Sequence, residues 1–167
     1  MRSVTVVEYD PKWVKMFEAL RDFVAPSISD IVLTIDHVGS TSVPGLPAKP
    51  IVDMDVVVAT RDDVQIAIEK LAALGYVHEG DFGIEGREAF VPPSGVPWHH
   101  LYVCTVDNAE YKRHIMFRDY LRSHAQEAEE YGKIKLKLAQ QFHNDRKAYT
   151  NAKTDFVEGI LTRTGWK

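Results

Sequence analysis

The sequence predicts an α+β fold in which a mixed β-sheet is flanked by helices and followed by a helical C-terminal third. Strand-like and helix-like segments alternate over residues 1–107, and only helical periodicity is found over residues 108–167. A chain of 167 residues with 45% hydrophobic residues has the size and composition of one domain with one core. We therefore expect a single domain over residues 1–167, with a sheet-containing core at 1–107 and a helical extension at 108–167.

The first predicted elements are a strand and a helix. Residues 3–8 form a short β-rich run. Asp10 and Pro11 then provide an N-cap and a proline at the first helical position, a combination that favours helix initiation. The apolar residues that follow at helical spacing are Trp13, Phe17, Leu20 and Val24. They predict a helix with one apolar face.

A second strand and an irregular loop are predicted next. Residues 31–38 are rich in β-branched side chains and run into Gly39, as a strand entering a tight turn does. Residues 40–50 contain three prolines and one glycine, so we expect a structured loop with one helical turn at most.

Residues 51–58 form the most unusual predicted strand. One face carries Asp53 and Asp55. The other face is entirely apolar and comprises Val52, Met54, Val56 and Val58. A helix then begins at the capping residue Thr60 and stops at Gly75. The residues expected on its inner side are Ile66 and Leu74.

The remaining predicted elements are short strands and then long helices. The strands lie near residues 76–79, 88–91 and 98–106. The helices lie near residues 109–122, 125–142 and 150–163. The inward apolar positions of the last two helices are Tyr131, Ile134, Leu138, Phe156 and Ile160. We expect these side chains to pack in the core.

Composition excludes several classes of protein. A net charge of −4 argues against a dedicated nucleic-acid-binding protein, which needs a basic face. No apolar run approaches the roughly 20 residues that span a bilayer, and the N-terminal segment lacks the apolar core of an export signal. We therefore expect a cytoplasmic protein without a membrane partner. Cys104 is the only cysteine, so it forms no internal disulfide, and we expect its side chain to be buried.

The charges are unevenly distributed along the chain. Residues 1–107 carry 8 basic and 16 acidic side chains, a net charge of −8, whereas residues 108–167 carry 12 and 8, a net charge of +4. This distribution is typical of an acidic metal site that faces anion-attracting helices, and equally of ordinary solvated surface charge.

The chemistry-bearing stretch is His37-Val38-Gly39-Ser40, followed after twelve residues by Asp53-Met54-Asp55-Val56. Aspartates at i and i+2 on a strand share a face with their Cα atoms about 7 Å apart, so both carboxylates can bind one Mg²⁺ ion. Gly39 allows close backbone approach to a ligand, and the Ser40 hydroxyl with neighbouring N–H groups can hold a phosphate. Two carboxylates in a Val-rich strand are costly to bury without a cation or a partner. The stretch therefore predicts a metal-phosphate site.

The order Gly-Ser, short connection, Asp-x-Asp resembles the nucleotidyltransferase superfamily, and the longer run HVGSTSVPGLPAKPIVDMDV closely resembles the GrpB family. The resemblance covers nearly the whole chain and continues through His99-His100-Leu101, FRDYLRSH, Tyr131, Lys135, Tyr149, Lys153 and Phe156. It implies a nucleotidyltransferase-like fold in which Asp53 and Asp55 bind a Mg²⁺- or Mn²⁺-nucleotide. GrpB-type domains also occur fused to dephospho-coenzyme A kinase, which indicates nucleotide or coenzyme chemistry.

The chain departs from the superfamily pattern in one respect. Active members usually add a third carboxylate from a neighbouring strand, and the corresponding predicted strand at 98–106 contains none. The candidates for that place are His100 or His99, as a nitrogen ligand or an acid/base group, and Glu88 on the preceding strand. A histidine ligand favours a softer metal such as Mn²⁺ or Zn²⁺. The alternatives are hydrogen-bonded structural histidines and a site that binds without catalysing.

Four basic residues are candidates for phosphate binding. Lys49 precedes the aspartate strand and is placed to reach a β- or γ-phosphate, and Arg87 can clamp a phosphate with two hydrogen bonds. Arg118 and Arg122 lie one turn apart on a predicted helix and can share an anion. The competing interpretations are a solvated loop position for the lysine and pairing with local acids such as Asp119 for the last two arginines. The lysines that share no helix face, and that we expect to be solvated, lie at positions 133, 135 and 137.

Together these features predict metal-dependent nucleotide binding with nucleotidyl transfer to an unknown acceptor, in which Asp53, Asp55 and His100 act in catalysis. The partner is then a nucleotide or another phosphorylated small molecule. Two alternatives stay open: a non-catalytic nucleotide- or anion-sensing module, which the missing carboxylate favours, and a metal-dependent phosphohydrolase that uses His100. The sequence predicts neither whether the chain is an enzyme nor its oligomeric state.

Overall fold

The computed structural model describes residues 5–163. Its helices are α1 (Lys12–Ile28), α2 (Arg61–Ala73), α3 (Ala109–Ser123), α4 (Ala125–Gln141) and α5 (Arg146–Arg163). Its strands are β1 (Val32–Val38), β2 (Asp53–Val58), β3 (Val77–Gly80), β4 (Arg87–Val91) and β5 (His100–Thr105). A turn of 3₁₀ helix spans Ser40–Ser42. The α+β prediction with a helical C-terminal third is confirmed, whereas the assignment of the whole chain to one domain stays a prediction.

The five strands form one mixed sheet in the order β1-β2-β5-β4-β3. β2 and β5 are parallel, and the other neighbouring pairs are antiparallel. The register places Asp53 opposite His100, and Asp55 lies between Asp36 on β1 and Tyr102 on β5. Side chains of directly opposed residues lie on the same face, so these five residues share one polar face of the sheet.

The opposite face of the sheet is apolar and carries the main core. Met54 and Val56 of β2 point to it together with Leu101 and Val103 of β5, and all four are fully buried. The helices α1 and α2 cover this face. The residues that they contribute to the same cluster are Phe17, Leu20, Val24, Ile28, Val64, Ala67 and Leu71. The wholly apolar face predicted for residues 51–58 is therefore confirmed.

The C-terminal helices lie on the polar face. Tyr111 and His114 of α3 form hydrogen bonds with carboxylates of β1 and β2. A second hydrophobic cluster joins the three helices to the loop before β2, and its buried members are Val43, Leu46, Leu121, Ala128, Tyr131 and Ile160. Tyr131 stacks on Phe156 with ring centroids 5.0 Å apart. The predicted packing of these two aromatic side chains is therefore confirmed.

Two local predictions differ from the structure. Of the strand predicted at 3–8, residues 3 and 4 lie outside the described residues, and Val7 forms only an isolated bridge with Ala48. The side chain of Ile66 is 38% exposed, because the inner face of α2 is formed by other residues. Those residues are Val64, Ala67 and Leu71. The predicted helix start is correct, since Thr60 Oγ1 accepts the Asp63 N–H at 3.2 Å.

Cys104 is buried in β5, as predicted, and burial raises the pKa of its thiol. A buried protonated thiol behaves as a small core residue rather than as a nucleophile. Within residues 5–163, no helix combines the length and the apolar character that crossing a membrane requires.

Leu101→Ala should lower the free energy of unfolding by about 2–5 kcal/mol, because it empties a fully buried position in the core. Leu33→Ala is the matched control, since that side chain on β1 is 56% exposed, and it should cost less than about 0.5 kcal/mol. Urea denaturation measures both values. Equal losses in the two variants would contradict the assignment of the core to this face of the sheet.

Candidate functional site

A sharp turn brings the end of β1 onto β2. Gly39 has φ +74° and ψ −175°, a backbone conformation that is essentially restricted to glycine. A Cβ atom at this position would clash with the carboxylate of Asp53. Ser40, which follows directly, lines the same pocket as Asp53. The expected proximity of the Gly39-Ser40 turn to the first aspartate is confirmed, whereas its role in phosphate binding stays a prediction.

Asp53 is the accessible member of the aspartate pair. Its side chain is 26% exposed, and its Oδ1 atom accepts a hydrogen bond from Nδ1 of His100 at 2.7 Å. The two residues are opposed on the parallel strands β2 and β5, so the sheet register brings them together. The structure therefore places His100 beside the aspartate with which the sequence associates it.

Asp55 is the buried member of the pair. Its Oδ2 atom lies 2.9 Å from His114 Nδ1, and His114 Nε2 lies 3.3 Å from Glu110 Oε1. Burial opposes the charge on His114, but the hydrogen bonds to the two carboxylates outweigh it and raise the histidine pKa to about 9. Burial raises the pKa of Asp55, and the hydrogen bond with His114 acts against that shift. The pair therefore holds a proton at neutral pH, and His114 compensates the charge of Asp55.

The pocket beside Asp53 is basic. It has a volume of about 160 Å³ and lies between the turn after β1, the ends of β2 and β5, and the helices α4 and α5. The pocket is lined by four residues that the sequence predicts as site residues, namely Ser40, Lys49, Asp53 and His100. Two further lysines, Lys135 of α4 and Lys153 of α5, complete the basic lining.

The three lysines of the pocket have aromatic neighbours and, among the described residues, form no ion pair with a carboxylate. The ammonium groups of Lys49 and Lys153 lie 5.1 and 5.2 Å from the centre of the Tyr149 ring. Lys135 Nζ lies 5.2 Å from the centre of the Tyr131 ring. Across residues 5–163, no carboxylate oxygen lies within 4.0 Å of these three ammonium groups. Burial, followed by repulsion from neighbouring cations, lowers the pKa of each amine, most strongly that of Lys135, and the charge of Asp53 acts against that shift.

Lys135 corrects one sequence prediction, because it is 2% exposed rather than solvated. It lies one helical turn after Tyr131 and one turn before Ala139, and all three are buried on the inner side of α4. Its spacing from Tyr131 is the signal that could have identified it. Lys153 gives no comparable signal, since the apolar pattern of α5 is weak and only the family resemblance includes this residue.

Arg118 and Arg122, which the sequence offers as candidates for anion binding, hydrogen-bond to the turn after β1. Arg118 Nη1 donates to the backbone oxygen of His37 at 3.1 Å, and its Nε donates to Asp119 at 3.0 Å. Arg122 Nε donates to the backbone oxygen of Ser42 at 3.0 Å. Neither arginine lines the pocket beside Asp53. The two arginines of α3 thus bind the two ends of the turn. A carbonyl oxygen accepts a hydrogen bond from a guanidinium group as an anion would.

Arg87 lies on the polar face but outside this pocket. Its guanidinium carbon lies 4.2 Å from the centre of the Tyr102 ring. Its Nε atom is buried, and no described residue hydrogen-bonds to it. The register pairs Arg87 with Cys104, which places it nearer to Asp55 than to Asp53. The predicted phosphate clamp at Arg87 is therefore not part of the basic pocket.

The two other candidates for the missing carboxylate lie away from the pocket. Glu88 points to the opposite face of the sheet, where its carboxylate lies 2.8 Å from His78 Nε2. His99 is fully buried, and its two ring nitrogens lie 2.8 Å from the Tyr76 hydroxyl and 2.6 Å from the Pro97 carbonyl oxygen. His99 is thus a structural histidine, and His100 alone of these candidates reaches the pocket.

Asp53 and Asp55 are the residues that would hold a divalent cation. The described part of the chain contains no group of three or more His, Cys, Asp or Glu side chains around a common metal position. Asp55 Oδ1 is nevertheless a buried acceptor that no described residue satisfies, and it lies on the same face as Asp53. Mg²⁺ often uses one or two carboxylates and completes its ligand shell with waters and substrate phosphates. The two aspartates therefore fit a cation that is also coordinated by a phosphorylated ligand. They do not form a complete metal site by themselves.

Comparison with solved structures identifies the fold. The Cid1 poly(U) polymerase with MgGTP bound is similar with a TM-score of 0.59 and 15% sequence identity, over 81% of this chain and 44% of that chain. The crystal structure of the conserved protein GrpB from Enterococcus faecalis is similar with a TM-score of 0.85 and 34% identity, over 96% of both chains. The chain therefore has a nucleotidyltransferase-like fold, as the sequence predicts.

The chain belongs to the GrpB family, described as GrpB protein, which matches residues 3–163. It is 33% identical over 157 residues to the UPF0157 protein YqkA of Bacillus subtilis, and this match covers 94% of the chain but 46% of YqkA. It is 33% identical over 164 residues to the glutamate-rich protein GrpB of Alkalihalophilus pseudofirmus, which it covers to 94%. The chain thus spans less than half of one relative and nearly all of the other.

Gly39→Ala should destabilise the protein by more than Gly45→Ala. Both glycines have positive φ, +74° and +83°, so an alanine is strained at either position, by about 1–3 kcal/mol. Only at position 39 would the added Cβ also clash, with the Asp53 carboxylate, whereas position 45 has nothing within 4 Å. Urea denaturation compares the two variants. Equal destabilisation would show that the turn does not press against Asp53.

The stability of the protein should decrease between about pH 6.5 and pH 9 because His114 loses its proton. The pKa of His114 is above its ordinary value of 6.5, so its stabilising effect is complete below that pH and is lost as the pH rises through about 9. The lost stabilisation is on the order of 2–3 kcal/mol. Urea denaturation across this range should show the slope in the wild type and not in His114→Gln. The same slope in both proteins would assign it to another group.

Proposed function

We propose that this chain binds a nucleoside triphosphate in the pocket beside Asp53 and transfers the nucleotidyl group to a hydroxyl of an acceptor. The observation that carries the proposal is the convergence of three lysines without acidic partners on a pocket that also contains Ser40 and Asp53. The nucleotidyltransferase-like fold supports a nucleotide as the ligand. Nucleoside triphosphates are cytoplasmic ligands, so the proposal includes a cytoplasmic location.

A polyphosphate matches the charge of the pocket. Burying an ammonium group without a counter-charge is unfavourable, and Asp53 is the one carboxylate among the residues that line the pocket. A triphosphate chain supplies several negative charges and many acceptor oxygens. The amines of Lys49, Lys135 and Lys153 would bind these oxygens, and the Ser40 hydroxyl would donate a further hydrogen bond. Binding should also restore the charge on Lys135, because a nearby anion favours the protonated amine.

The carboxylates of Asp53 and Asp55 would hold Mg²⁺ or Mn²⁺ next to the phosphates. When bound, this cation would neutralise phosphate charge and so favour displacement at phosphorus. The side chains of the chain itself then have positioning roles: the lysines hold the phosphate oxygens and the Gly39-Ser40 turn limits where the chain of phosphates can lie. His100, which donates a hydrogen bond to Asp53, would face the reacting groups. Positioning of this kind accounts for a large part of the rate enhancement of many enzymes.

A non-catalytic nucleotide sensor is the second candidate function. The observation that favours it is the register of β5, which places His100 and Tyr102, and no carboxylate, opposite Asp53 and Asp55. Both candidates bind the same ligand in the same pocket. They differ in whether pyrophosphate is released.

Lys135→Met should abolish most of the stabilisation that a nucleotide confers, because it removes the most buried amine of the pocket. The probes are ATP, GTP, CTP and UTP, each with Mg²⁺ or Mn²⁺, in thermal unfolding; a ligand at about 100 times its Kd adds about 2.7 kcal/mol. Without nucleotide the variant should be at least as stable as the wild type, since methionine replaces an amine that lacks an acidic partner. Lys137→Met, on the exposed side of the same helix, is the matched control and should keep the full stabilisation.

Equal nucleotide-dependent stabilisation of the wild type and Lys135→Met would contradict the assignment of the phosphates to this pocket. Stabilisation by none of the four nucleotides would contradict the proposed function as a whole. Where binding is found, pyrophosphate release with hydroxyl acceptors separates the transferase from the sensor.

A further inference from the structure

His100 has the geometry of an oriented nucleophile. Its Nδ1 atom lies 2.7 Å from Asp53 Oδ1. A carboxylate accepts hydrogen bonds and does not donate them, so Nδ1 carries the proton and the lone pair of the neutral ring lies on Nε2. No described residue hydrogen-bonds to Nε2, and the side chain of His100 is 36% exposed where it lines the basic pocket. The reactive nitrogen therefore has no hydrogen-bond partner among the described residues, and it belongs to a side chain that lines the space assigned to the phosphates.

The carboxylate next to the ring suits a covalent role. A histidine that forms a bond through Nε2 becomes positively charged, and a carboxylate on Nδ1 stabilises that charge and fixes the ring orientation. Asp53 is itself held by the close approach of Gly39, so the pair has a defined position. The same lysines that would bind the phosphates would also stabilise the charge that develops on a departing pyrophosphate.

The strand pattern also favours a covalent step over direct transfer. Direct attack by an acceptor hydroxyl needs a group that activates this hydroxyl in the same complex as the nucleotide. The positions on β5 opposite the two aspartates hold His100 and Tyr102 instead of a carboxylate. The pocket has a volume of about 160 Å³, and a second pocket of about 220 Å³ shares Ser40, Asp53 and Lys153 with it. In two successive displacements the first nucleophile is the unprotonated Nε2 atom, which needs no base, and pyrophosphate leaves the pocket before the acceptor enters.

We propose that His100 Nε2 accepts the nucleotidyl group, so that transfer proceeds through a nucleotidyl-histidine; this inference rests on the proposed function. In the first step, the Nε2 lone pair attacks the α-phosphorus of the nucleoside triphosphate and an N–P bond forms. The bond from this phosphorus to the bridging oxygen breaks, and pyrophosphate leaves with its electron pair. In the second step, the acceptor hydroxyl oxygen attacks the same phosphorus. The N–P bond breaks, its electron pair returns to Nε2, and the hydroxyl proton passes to water.

The test looks for the intermediate in the absence of an acceptor. The full chain is incubated with ATP, GTP, CTP or UTP and Mg²⁺ or Mn²⁺, and intact-protein mass spectrometry measures the gain of one nucleotidyl group. Peptide mapping under alkaline conditions locates the group, since an imidazole N–P bond survives alkali and is lost in acid. Exchange of labelled pyrophosphate into the nucleotide, without acceptor, measures reversal of the first step.

We expect the adduct on His100 in the wild type and its loss, together with pyrophosphate exchange, in His100→Ala. His143→Ala, which replaces an exposed histidine of the loop between α4 and α5, is the matched control and should retain both signals. In His100→Gly, added imidazole should restore pyrophosphate exchange by acting as the free nucleophile. A purely structural role of His100 would not allow this rescue.

The outcomes separate this inference from the proposed function. Nucleotide-dependent stabilisation without an adduct or pyrophosphate exchange would overturn the covalent step and leave nucleotide binding intact. An adduct on Ser40 or on one of the lysines, or transfer of a phosphoryl group in place of the nucleotidyl group, would overturn the assignment to His100. Absence of any nucleotide-dependent stabilisation would overturn both proposals.

Discussion

Three carboxylates on one face of the sheet constrain how the rest of the chain packs. Asp36, Asp53 and Asp55 lie on the adjacent strands β1 and β2, where they repel one another and lose hydration when helices cover them. Each therefore needs a hydrogen-bond donor of its own. Asp53 obtains one within the sheet, from His100. The other two obtain theirs from α3, so the position of that helix follows from the need to satisfy the acidic face.

The helix α3 also fixes the position of the turn that follows β1. Three side chains of α3 contact the acidic face, and they are Tyr111, His114 and Arg118. They are spaced three and four residues apart, so they share one side of the helix. The same helix also docks through apolar contacts, since Leu121 is buried in the second hydrophobic cluster and Phe117 and Tyr120 pack against it. Arg118 and Arg122 then donate to backbone oxygens at the two ends of the turn. The same helix thus compensates Asp55 and holds the turn that presses against Asp53.

The local part of this arrangement could be predicted from the sequence, and the tertiary part could not. Alternation with period two assigned an acidic and an apolar face to residues 51–58, because that alternation is a property of the strand itself. Lys135 differs from its prediction because helical periodicity tells which residues share a face and not what that face meets. The backbone contact of Arg122 could not be predicted for a related reason. A helical arginine can donate to an anion or to a backbone oxygen, and only the position of the neighbouring loop decides between them. The parallel pairing that sets His100 opposite Asp53 joins strands more than forty residues apart, which no local pattern encodes.

The two aspartates show how one spacing on a strand gives two chemical environments. The side chain of Asp53 is 26% exposed and that of Asp55 is 2% exposed. The charge of Asp55 is compensated by His114 before any ligand arrives, so Asp53 faces the three lysines as the accessible acid of the pocket. A pocket with this balance attracts an anion before it attracts a free cation. In the proposed function, a cation therefore enters with the phosphates, whose oxygens provide the ligands that residues 5–163 lack. The same charge distribution, with Asp55 paired to His114 and Asp53 facing three lysines, then accounts for both the incomplete metal site and the basic pocket.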